Sequence, residues 1–322
     1  MSSHVATDLH GHSRFSDGTA EPEELVTARL ERGVRVLALS DHDVLAGVPA
    51  AARAAEQAGA LLIPAMEATS FVGFGTPEAE QFHILCYFPP RMLRDGSLFR
   101  TALYRRGLRV QAAFRAFILG WLDDLHADDR AALDPDGGLA REPSERFPGL
   151  QRLIDRVVAR RPQVFKHFIR SHVRFWQDDR ELFGWSPEEL IDCIRADGGI
   201  DVVAHPARYR DKERLSRVLL GASGVEAYTS RHRPEWSARF RAFAEQHGKL
   251  WTASTDDHQK GPYQPPPCGT PLATVERLID EPLAAAYRAP AAAWPAGAEP
   301  PEPPEPPEPP DSSSSPEGAA RP

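Results

Sequence analysis

The chain has 322 residues, of which 41% are hydrophobic and 26% charged, and its formal net charge is −8. This length suits one large barrel domain or two ordinary domains, and no stretch approaches the roughly 20 apolar residues of a membrane span. Because proteins hold long nucleic acids mainly by neutralising phosphates, the acidic charge argues against a binder of long duplexes. Three widely spaced cysteines and an N-terminus without a signal pattern favour a reducing, cytoplasmic location and argue against a thiolate zinc site.

Short apolar runs alternate with helical patterns along most of the chain, which is typical of an α/β fold with a parallel sheet. Seven strands are predicted, at residues 4–9, 34–39, 61–65, 82–87, 200–204, 224–228 and 250–254. A helix is predicted from Pro22 to Gly33, because proline favours the first turn and glycine favours the position after the last turn. Another helix begins with a capping box formed by Ser186 and Glu189 and ends before Gly198.

The alternation is interrupted at about residues 92–180, where the apolar spacing is helical throughout. We expect a helical insertion that covers one mouth of the barrel, either as extra packing or as a cap that grips the substrate. The predicted organisation is a first part of the barrel at 1–91, the insertion at 92–180, a second part of the barrel at 181–285 and a tail at 286–322. The tail carries a PPE repeat from Pro300 to Pro310, so we expect it to be extended and disordered, with unknown partners.

Potential metal ligands recur where the predicted strands end. The first strand leads into His10 and His12, whose imidazoles project from the same side of an extended chain and can reach one ion. Further candidates stand beside later apolar runs, namely Asp41-His42-Asp43, Glu67, His83, His205 and Asp256-Asp257-His258. Since the strand ends of a parallel β/α barrel converge on one face, the sequence predicts a polynuclear metal centre there. Imidazole and carboxylate ligands suit zinc, manganese and iron.

This ordered set of motifs resembles the PHP (polymerase and histidinol phosphatase) family, and in particular its stand-alone phosphoesterases, which include nucleoside phosphatases. The segments that carry the resemblance are DLHGHSRFSDG, PEELV, ALSDHDVLAG, Glu67, His83, AHPARY and DDH. They span about residues 5–90 and 185–275. The resemblance implies a distorted seven-stranded (β/α)7 barrel that holds three divalent metal ions, Mn2+, Fe2+ or Zn2+.

Position by position, the resemblance implies three groups of metal ligands. One ion would be held by His10, His12, Glu67 and Asp256, a second by Asp17, His42 and His258, and a third by Glu67, His83 and His205, with Glu67 bridging. Every ligand position of the family is filled in this chain. Two nearby positions depart from the family pattern, because Ser40 stands where threonine is usual and Asp257 stands where an aromatic residue is usual.

The resulting hypothesis is an enzyme that hydrolyses a phosphate ester of a small molecule, a nucleotide or a related metabolite, by means of a hydroxide bridged between metals. Asp43 is a candidate for moving a proton and His232 for donating one. Arg208 and Tyr209 match the family's HPxRY segment and are candidates for binding the substrate. We expect Arg208 to serve both catalysis and phosphate binding, since a guanidinium suits bidentate contacts. Arg14 is a further candidate for binding the substrate.

Other functions remain open at this point. An exonuclease-like phosphodiesterase acting on short or cyclic nucleotides, or a histidinol or sugar phosphatase, would use the same metals. An amidohydrolase acting on a bond other than a phosphoester also places HxH on its first barrel strand, but the predicted three-metal set favours a phosphoester. A metal sensor or scaffold whose tail recruits partners is disfavoured by the complete ligand set.

Overall fold

The computed structural model describes residues 4–141 and 150–288. The strands are β1 (His4–Val5), β2 (Thr7–Asp8), β3 (Val36–Leu39), β4 (Leu61–Val72), β5 (Glu80–Tyr87), β6 (Ile200–Val203), β7 (Gly224–Tyr228), β8 (Leu250–Ala253) and β9 (Thr270–Pro271). The helices are α1 (Pro22–Glu31), α2 (Val48–Gln57), α3 (Pro90–Arg94), α4 (Ala102–Asp123), α5 (Ala127–Leu133), α6 (Gly138–Arg141), α7 (Leu150–Arg160), α8 (Phe165–Asp178), α9 (Arg180–Phe183), α10 (Pro187–Ala196), α11 (Lys212–Gly221), α12 (Pro234–Gln246) and α13 (Leu272–Ile279). In this part of the chain, no helix has both the length and the apolar character needed to cross a membrane. From residue 289 onward, the predicted tail lies outside the described residues.

A seven-stranded sheet forms a nearly closed barrel in the order β2-β3-β4-β5-β6-β7-β8. Strands β2, β3 and β4 are parallel, as are β6, β7 and β8, but β5 runs antiparallel to both of its neighbours. The predicted distorted seven-stranded barrel is therefore confirmed, whereas the prediction of a fully parallel sheet is wrong. The reversal follows from the connection at residues 73–79, which is too short for a parallel crossover of a dozen or more residues.

Strand β4 is longer than the sequence predicted. Its first residues pair with β3, and the stretch from Ala65 to Val72 pairs with β5, so Glu67 lies inside the strand and not at its end. Because β5 is reversed, its beginning and not its end reaches the face where the parallel strands end. This arrangement places His83, near the start of β5, on the same face as Glu67.

The first predicted strand is divided between two sheets. His4–Val5 pairs antiparallel with β9, which the sequence analysis did not predict, and Thr7–Asp8 begins the barrel. The loops after β2 and β8 join the two ends of the barrel, because Gly11 forms a bridge with Asp257 and the Asp256 amide donates to the His10 carbonyl at 3.0 Å. Residues from opposite ends of the barrel portion thereby become neighbours.

Alternate residues of the strands point to opposite sides of the sheet. Leu37 and Leu39 belong to the core between the barrel and its surrounding helices, whereas Val36 and Ala38 belong to a second cluster that also includes Leu278 of α13. The predicted capping box is present at the start of α10, where the Ser186 and Glu189 side chains each accept a backbone hydrogen bond from the other residue.

Every element described between β5 and α10 is helical, as the sequence predicted. The later turns of α4 pack with neighbouring helices around their own cluster of buried side chains, which includes Ile118, Trp121, Leu133, Val157 and Phe168. An earlier turn of α4 approaches the loop after β3 closely, since a Cβ atom on Gly107 would lie 2.8 Å from the Asp43 carbonyl oxygen. Glycine at this position therefore allows the helix to lie against the loop that carries His42.

Candidate metal centre

His10 and His12 lie immediately after β2, and both residues are fully buried. Their Nε2 atoms are 3.1 Å apart, so the two imidazoles face one point, as the alternation of an extended chain requires. The Nδ1 atom of His10 lies 2.9 Å from Glu226 Oε1 on β7. Since an ionised carboxylate can only accept, Nδ1 of His10 donates this bond, and its neutral ring presents a lone pair at Nε2.

Glu67 lies at the centre of the site. Its Oε1 atom is 2.8 Å from both His83 Nδ1 and His205 Nε2. Its Oε2 atom is 3.2 Å from the nearest nitrogen of three further histidines, which are His10, His12 and His42. One buried carboxylate therefore contacts five imidazoles that come from four separate segments of the chain.

The potential ligand atoms form three groups, within each of which all atoms lie within 4.8 Å of one another. The groups are His10, His12, Glu67 and Asp256; His12, Asp17, His42 and His258; and His42, Glu67 and His83. The first group matches the first predicted ligand set, the second adds His12, and the third contains His42 in place of His205. Since His205 contacts Glu67 directly, all nine predicted ligands lie together in one site.

The arrangement of these atoms fits a bound cation. With its proton on Nδ1, neutral His10 directs the lone pair of Nε2 toward Glu67 Oε2 at 3.2 Å and Asp256 Oδ1 at 3.5 Å, an arrangement that a cation among these atoms, either a proton or a metal ion, would stabilise. Within the described residues, four buried atoms of the site lack hydrogen-bond partners: His12 Nδ1, Glu67 Oε2, His83 Nε2 and His205 Nδ1. Divalent transition metals accept this set of imidazole and carboxylate donors.

The pKa values of the site reflect the same concentration of negative charge. Burial alone would lower the pKa of His12, but the adjacent carboxylates of Asp256, Glu67 and Asp17 prevail and raise it to about 10. Burial alone would raise the pKa of Glu67, but the adjacent His83 and His42 hold it well below its usual value. The buried carboxylates thus favour a positive charge beside them, which a proton on an imidazole provides. A bound metal ion would neutralise the same negative charge.

Three loops of the site hold a non-glycine residue at positive φ, namely Asp43 at 55°, His205 at 28° and Asp256 at 54°. Such conformations cost about 1–3 kcal/mol each and persist where surrounding contacts fix them. Here the His205 amide donates to Glu226 Oε2 at 2.6 Å, and the Asp256 amide donates to the His10 carbonyl at 3.0 Å. The backbone strain is therefore concentrated where side chains must converge.

Two further residues belong to the site and were not predicted. Glu226 is fully buried, and its two carboxylate oxygens fix His10 and the backbone of His205. Arg231 donates from Nε to Asp256 Oδ2 at 2.6 Å. The sequence signal for Glu226 was a single carboxylate inside the otherwise apolar strand GVEAY.

The two residues predicted to move protons have other partners. Asp43 is fully buried, and its Oδ1 atom accepts hydrogen bonds from Arg106 at 2.6 Å and from the Thr69 amide at 2.8 Å. Both ring nitrogens of His232 bond to backbone, since Nδ1 donates to the Ala227 carbonyl at 3.0 Å and Nε2 accepts from the Ala207 amide at 3.3 Å. These contacts suit positioning roles for both residues.

The three predicted substrate contacts also separate in space. Arg208 lines the cavity above the ligands. Tyr209 is buried, stacks on Phe82 with ring centroids 3.9 Å apart, and accepts a hydrogen bond at its hydroxyl from the His83 amide at 2.9 Å. Arg14 forms an ion pair with Glu21 at the start of α1. Tyr209 and Arg14 therefore support the surrounding structure, and neither lines this cavity.

The cavity above the ligand atoms has a volume of about 660 Å3. Its floor includes Glu67 and His83, and cationic side chains at Arg208, Arg231 and Lys260 also line it. Another part of its wall comes from the helical segment, through Val110, Gln111, Phe114, His172 and Trp176. This volume lies within the range of roughly 300–1,000 Å3 that is typical of small-molecule sites.

Comparison with known proteins agrees with this architecture. Residues 8–119 match the PHP domain family. The chain is 32% identical over 235 residues to a 5'-3' exoribonuclease of Haemophilus influenzae, with 68% of this chain and 77% of that protein aligned. It is 26% identical over 278 residues to the 3',5'-nucleoside bisphosphate phosphatase of Chromobacterium violaceum, with 79% of this chain and 87% of that protein aligned. A crystal structure from Bifidobacterium adolescentis, described as a metal-dependent phosphoesterase, has the same fold, with a TM-score of 0.60 at 23% identity over 87% of this chain and 97% of that one.

The buried histidine–carboxylate groups, together with the family and the relatives that the sequence matches, identify a metal-dependent phosphoesterase. The chain belongs to the PHP domain family, as its sequence motifs indicated.

Proposed function

We propose that this phosphoesterase releases phosphate from a small nucleotide or a related phosphorylated metabolite. The proposal depends on one observation, which is that three groups of potential metal ligands converge beneath a single cavity. The cationic side chains of Arg208, Arg231 and Lys260 line the same cavity. Cations along a cavity raise the local concentration of an anionic substrate, even in a chain whose net charge is −8. The cavity is large enough for a leaving group of nucleotide size.

We propose that three divalent ions, Mn2+, Fe2+ or Zn2+, bind at the nine residues that the sequence indicated. These residues are His10, His12, Asp17, His42, Glu67, His83, His205, Asp256 and His258. When bound, such ions supply Lewis acidity toward phosphoryl oxygens and activate a water molecule at neutral pH. The contact between His10 Nδ1 and Glu226 supports this assignment, because it holds the imidazole in the tautomer with Nε2 free to bind.

The three cationic side chains of the cavity differ in their availability to a substrate. Arg231 is held by Asp256, whereas Arg208 and Lys260 are exposed and form no ion pair within the described residues. We assign Arg208 and Lys260 to the substrate's phosphate oxygens, since a guanidinium binds them bidentately and an ammonium binds them as a point charge. Asp43 and His232 act through the loops that they position and do not contact the reacting atoms.

We further propose that residues 92–180 form a cap domain on a barrel made of residues 1–91 and 181–285. The supporting observation is that α4 and α8 supply part of the cavity wall. This contribution favours a cap that contacts the substrate over a segment that only adds packing.

The names of two relatives favour nucleotides over other phosphorylated metabolites. One relative is named a 3',5'-nucleoside bisphosphate phosphatase and the other a 5'-3' exoribonuclease. The second name makes cleavage of a phosphodiester in short or cyclic nucleotides the second candidate function. Histidinol phosphate, sugar phosphates and amides are the remaining alternatives, and a substrate panel separates them.

Elemental analysis combined with phosphate release across that panel tests the proposal. We expect bound divalent metal and release of phosphate from nucleoside phosphates, with both lost after chelation and restored by Mn2+. His42→Ala should lose activity and metal while remaining folded, whereas His247→Ala, at an exposed position after α12, should retain both. Full activity after exhaustive chelation, or hydrolysis of amides alone, would contradict the proposal.

A further inference from the structure

The cap part of the cavity wall has an unusual polar group among its aromatic side chains. Phe114 on α4 and Trp176 on α8 both line the cavity, and His172 lies one helical turn before Trp176. The His172 ring is edge-on to both neighbours, with centroid distances of 6.3 Å to Phe114 and 6.0 Å to Trp176. Two large apolar rings and one imidazole thus share a wall of the cavity that also contains the metal ligands.

Hydrogen bonding defines the tautomer of His172. The Trp176 indole nitrogen lies 3.0 Å from His172 Nε2. An indole N–H can only donate, so Nε2 must accept and the ring proton of neutral His172 must be on Nδ1. Within the described residues, this Nδ1–H donates to no protein group.

His172 is also uncharged near neutral pH. Burial lowers its pKa to about 4. The side chain therefore offers a hydrogen bond without adding a positive charge, unlike Arg208 and Lys260 elsewhere in the same cavity. A neutral donor between aromatic rings suits an uncharged, planar ligand that carries an acceptor atom, and it is poorly suited to a second phosphate.

We infer that this wall is the binding site for a nucleobase of the leaving group, with Phe114 and Trp176 contacting the ring and His172 Nδ1–H donating to one of its acceptor atoms. This inference rests on the proposed function, because it places the phosphate of the same substrate at the metal centre. Base–aromatic contacts are favourable for every base, whereas the hydrogen bond selects rings that present an acceptor. Selectivity for ring-bearing substrates therefore resides in the cap, apart from the hydrolytic groups of the barrel.

A matched variant isolates the contribution of His172. His172→Phe keeps an aromatic ring on the wall but removes the donor. The control is His167→Phe on the same helix, since His167 also pairs with a tryptophan, accepting from Trp121 Nε1 at 3.1 Å, but neither residue of that pair lines the cavity. The two substitutions are chemically identical and each removes the acceptor of a tryptophan N–H, but only His172 lines the cavity.

The first measurement is binding of adenosine, which has the ring but no phosphate, by calorimetry on the full chain. We expect wild type and His167→Phe to bind adenosine equally and His172→Phe to bind it roughly three- to tenfold more weakly, the usual effect of losing one neutral hydrogen bond. Trp176→Leu should weaken binding by about tenfold or more, because it removes a ring contact. No binding of adenosine by the wild type, or equal weakening in both histidine variants, would overturn the inference.

The second measurement compares kcat/KM for adenosine 5'-monophosphate and ribose 5-phosphate with the Mn2+-loaded enzyme. His172→Phe should lower kcat/KM for the nucleotide by a similar three- to tenfold factor and leave the value for ribose 5-phosphate unchanged. An equal loss with both substrates would overturn the assignment of the wall to the base. If adenosine binds as expected but no phosphate ester is hydrolysed, the proposed function fails while the base site stands.

Discussion

Arg106 Nη1 donates a hydrogen bond of 2.6 Å to Asp43 Oδ1, and this contact joins α4 to the loop after β3. The same guanidinium donates to the carbonyl oxygens of Thr69 on β4 and Leu182 on α9. Asp43 directly follows His42, a candidate metal ligand. One buried cation therefore connects α4, which lines the cavity, with β4 and the loop after β3, which carry the candidate ligands Glu67 and His42.

Replacing Arg106 with methionine should destabilise the fold strongly. The change retains an unbranched side chain but leaves the carboxylate of Asp43 buried without its cation, which typically costs about 3–5 kcal/mol. Urea unfolding of the metal-free protein measures the loss. Arg109→Met on the same helix is the control, because Arg109 pairs with Glu181 at the surface and should contribute less than about 1 kcal/mol. Similar losses of unfolding free energy in the two variants would show that the buried contact between Arg106 and Asp43 contributes no more than the surface pair.

Glu226→Gln should weaken metal binding, although Glu226 is not itself a proposed metal ligand. An amide of the same shape can accept from His10 Nδ1 through its oxygen, but its NH2 group cannot accept from the His205 amide, and it lacks the negative charge that makes the imidazole a better ligand. We expect affinity to fall by about 10–100-fold, as is usual when the partner of a ligating histidine is changed. Competition with a metal chelator provides the measurement, and Glu213→Gln, at an exposed position on α11, should bind metal as the wild type does.

Gly11→Ala should destabilise the junction between the first and last barrel strands. A Cβ atom at this position would lie 2.3 Å from Arg29 Nη2, and Arg29 is fully buried in an ion pair with Asp8 and against the ring of Tyr263. Displacing so confined a side chain should cost about 1–3 kcal/mol. Thermal unfolding measures the change, and Gly120→Ala on α4 should instead be neutral or stabilising, because open space surrounds that position in a helix. Equal stability of Gly11→Ala and wild type would show that Arg29 can move.

Local sequence patterns predicted much of the fold because strands and helices leave periodic and capping signals. The direction of β5 was missed because Ala68–Val72, the second part of the long β4 strand, was not recognised, so the short connection at 73–79 looked like part of a long loop. Without that connection, nothing in the apolar run of β5 distinguishes a reversed strand from a parallel one. The bridge between Gly11 and Asp257 could not be predicted either, since it joins distant parts of the chain.

The candidate metal site was more predictable than the groups that surround it. Histidines and carboxylates beside strand ends form a recognisable series, and the nine proposed ligands do converge. The supporting groups leave weaker signals, because Glu226 stands within a buried strand and Arg106 within a long helix. The direction of a side chain in a loop is also not encoded locally, as shown by Arg231, which contacts Asp256, while the adjacent His232 bonds to backbone.

The pH dependence of stability should differ between wild type and His172→Phe. Burial lowers the pKa of His172 from 6.5 to about 4 in the folded protein, so between these values the unfolded chain binds more protons than the folded chain. The contribution of His172 to the free energy of unfolding is therefore fully present above about pH 6.5 and is lost as the pH falls through about 4. Urea unfolding of chelator-treated protein at several pH values should show wild type losing more stability than His172→Phe over this range. Parallel profiles for wild type and His172→Phe would show that His172 is not desolvated in the folded protein.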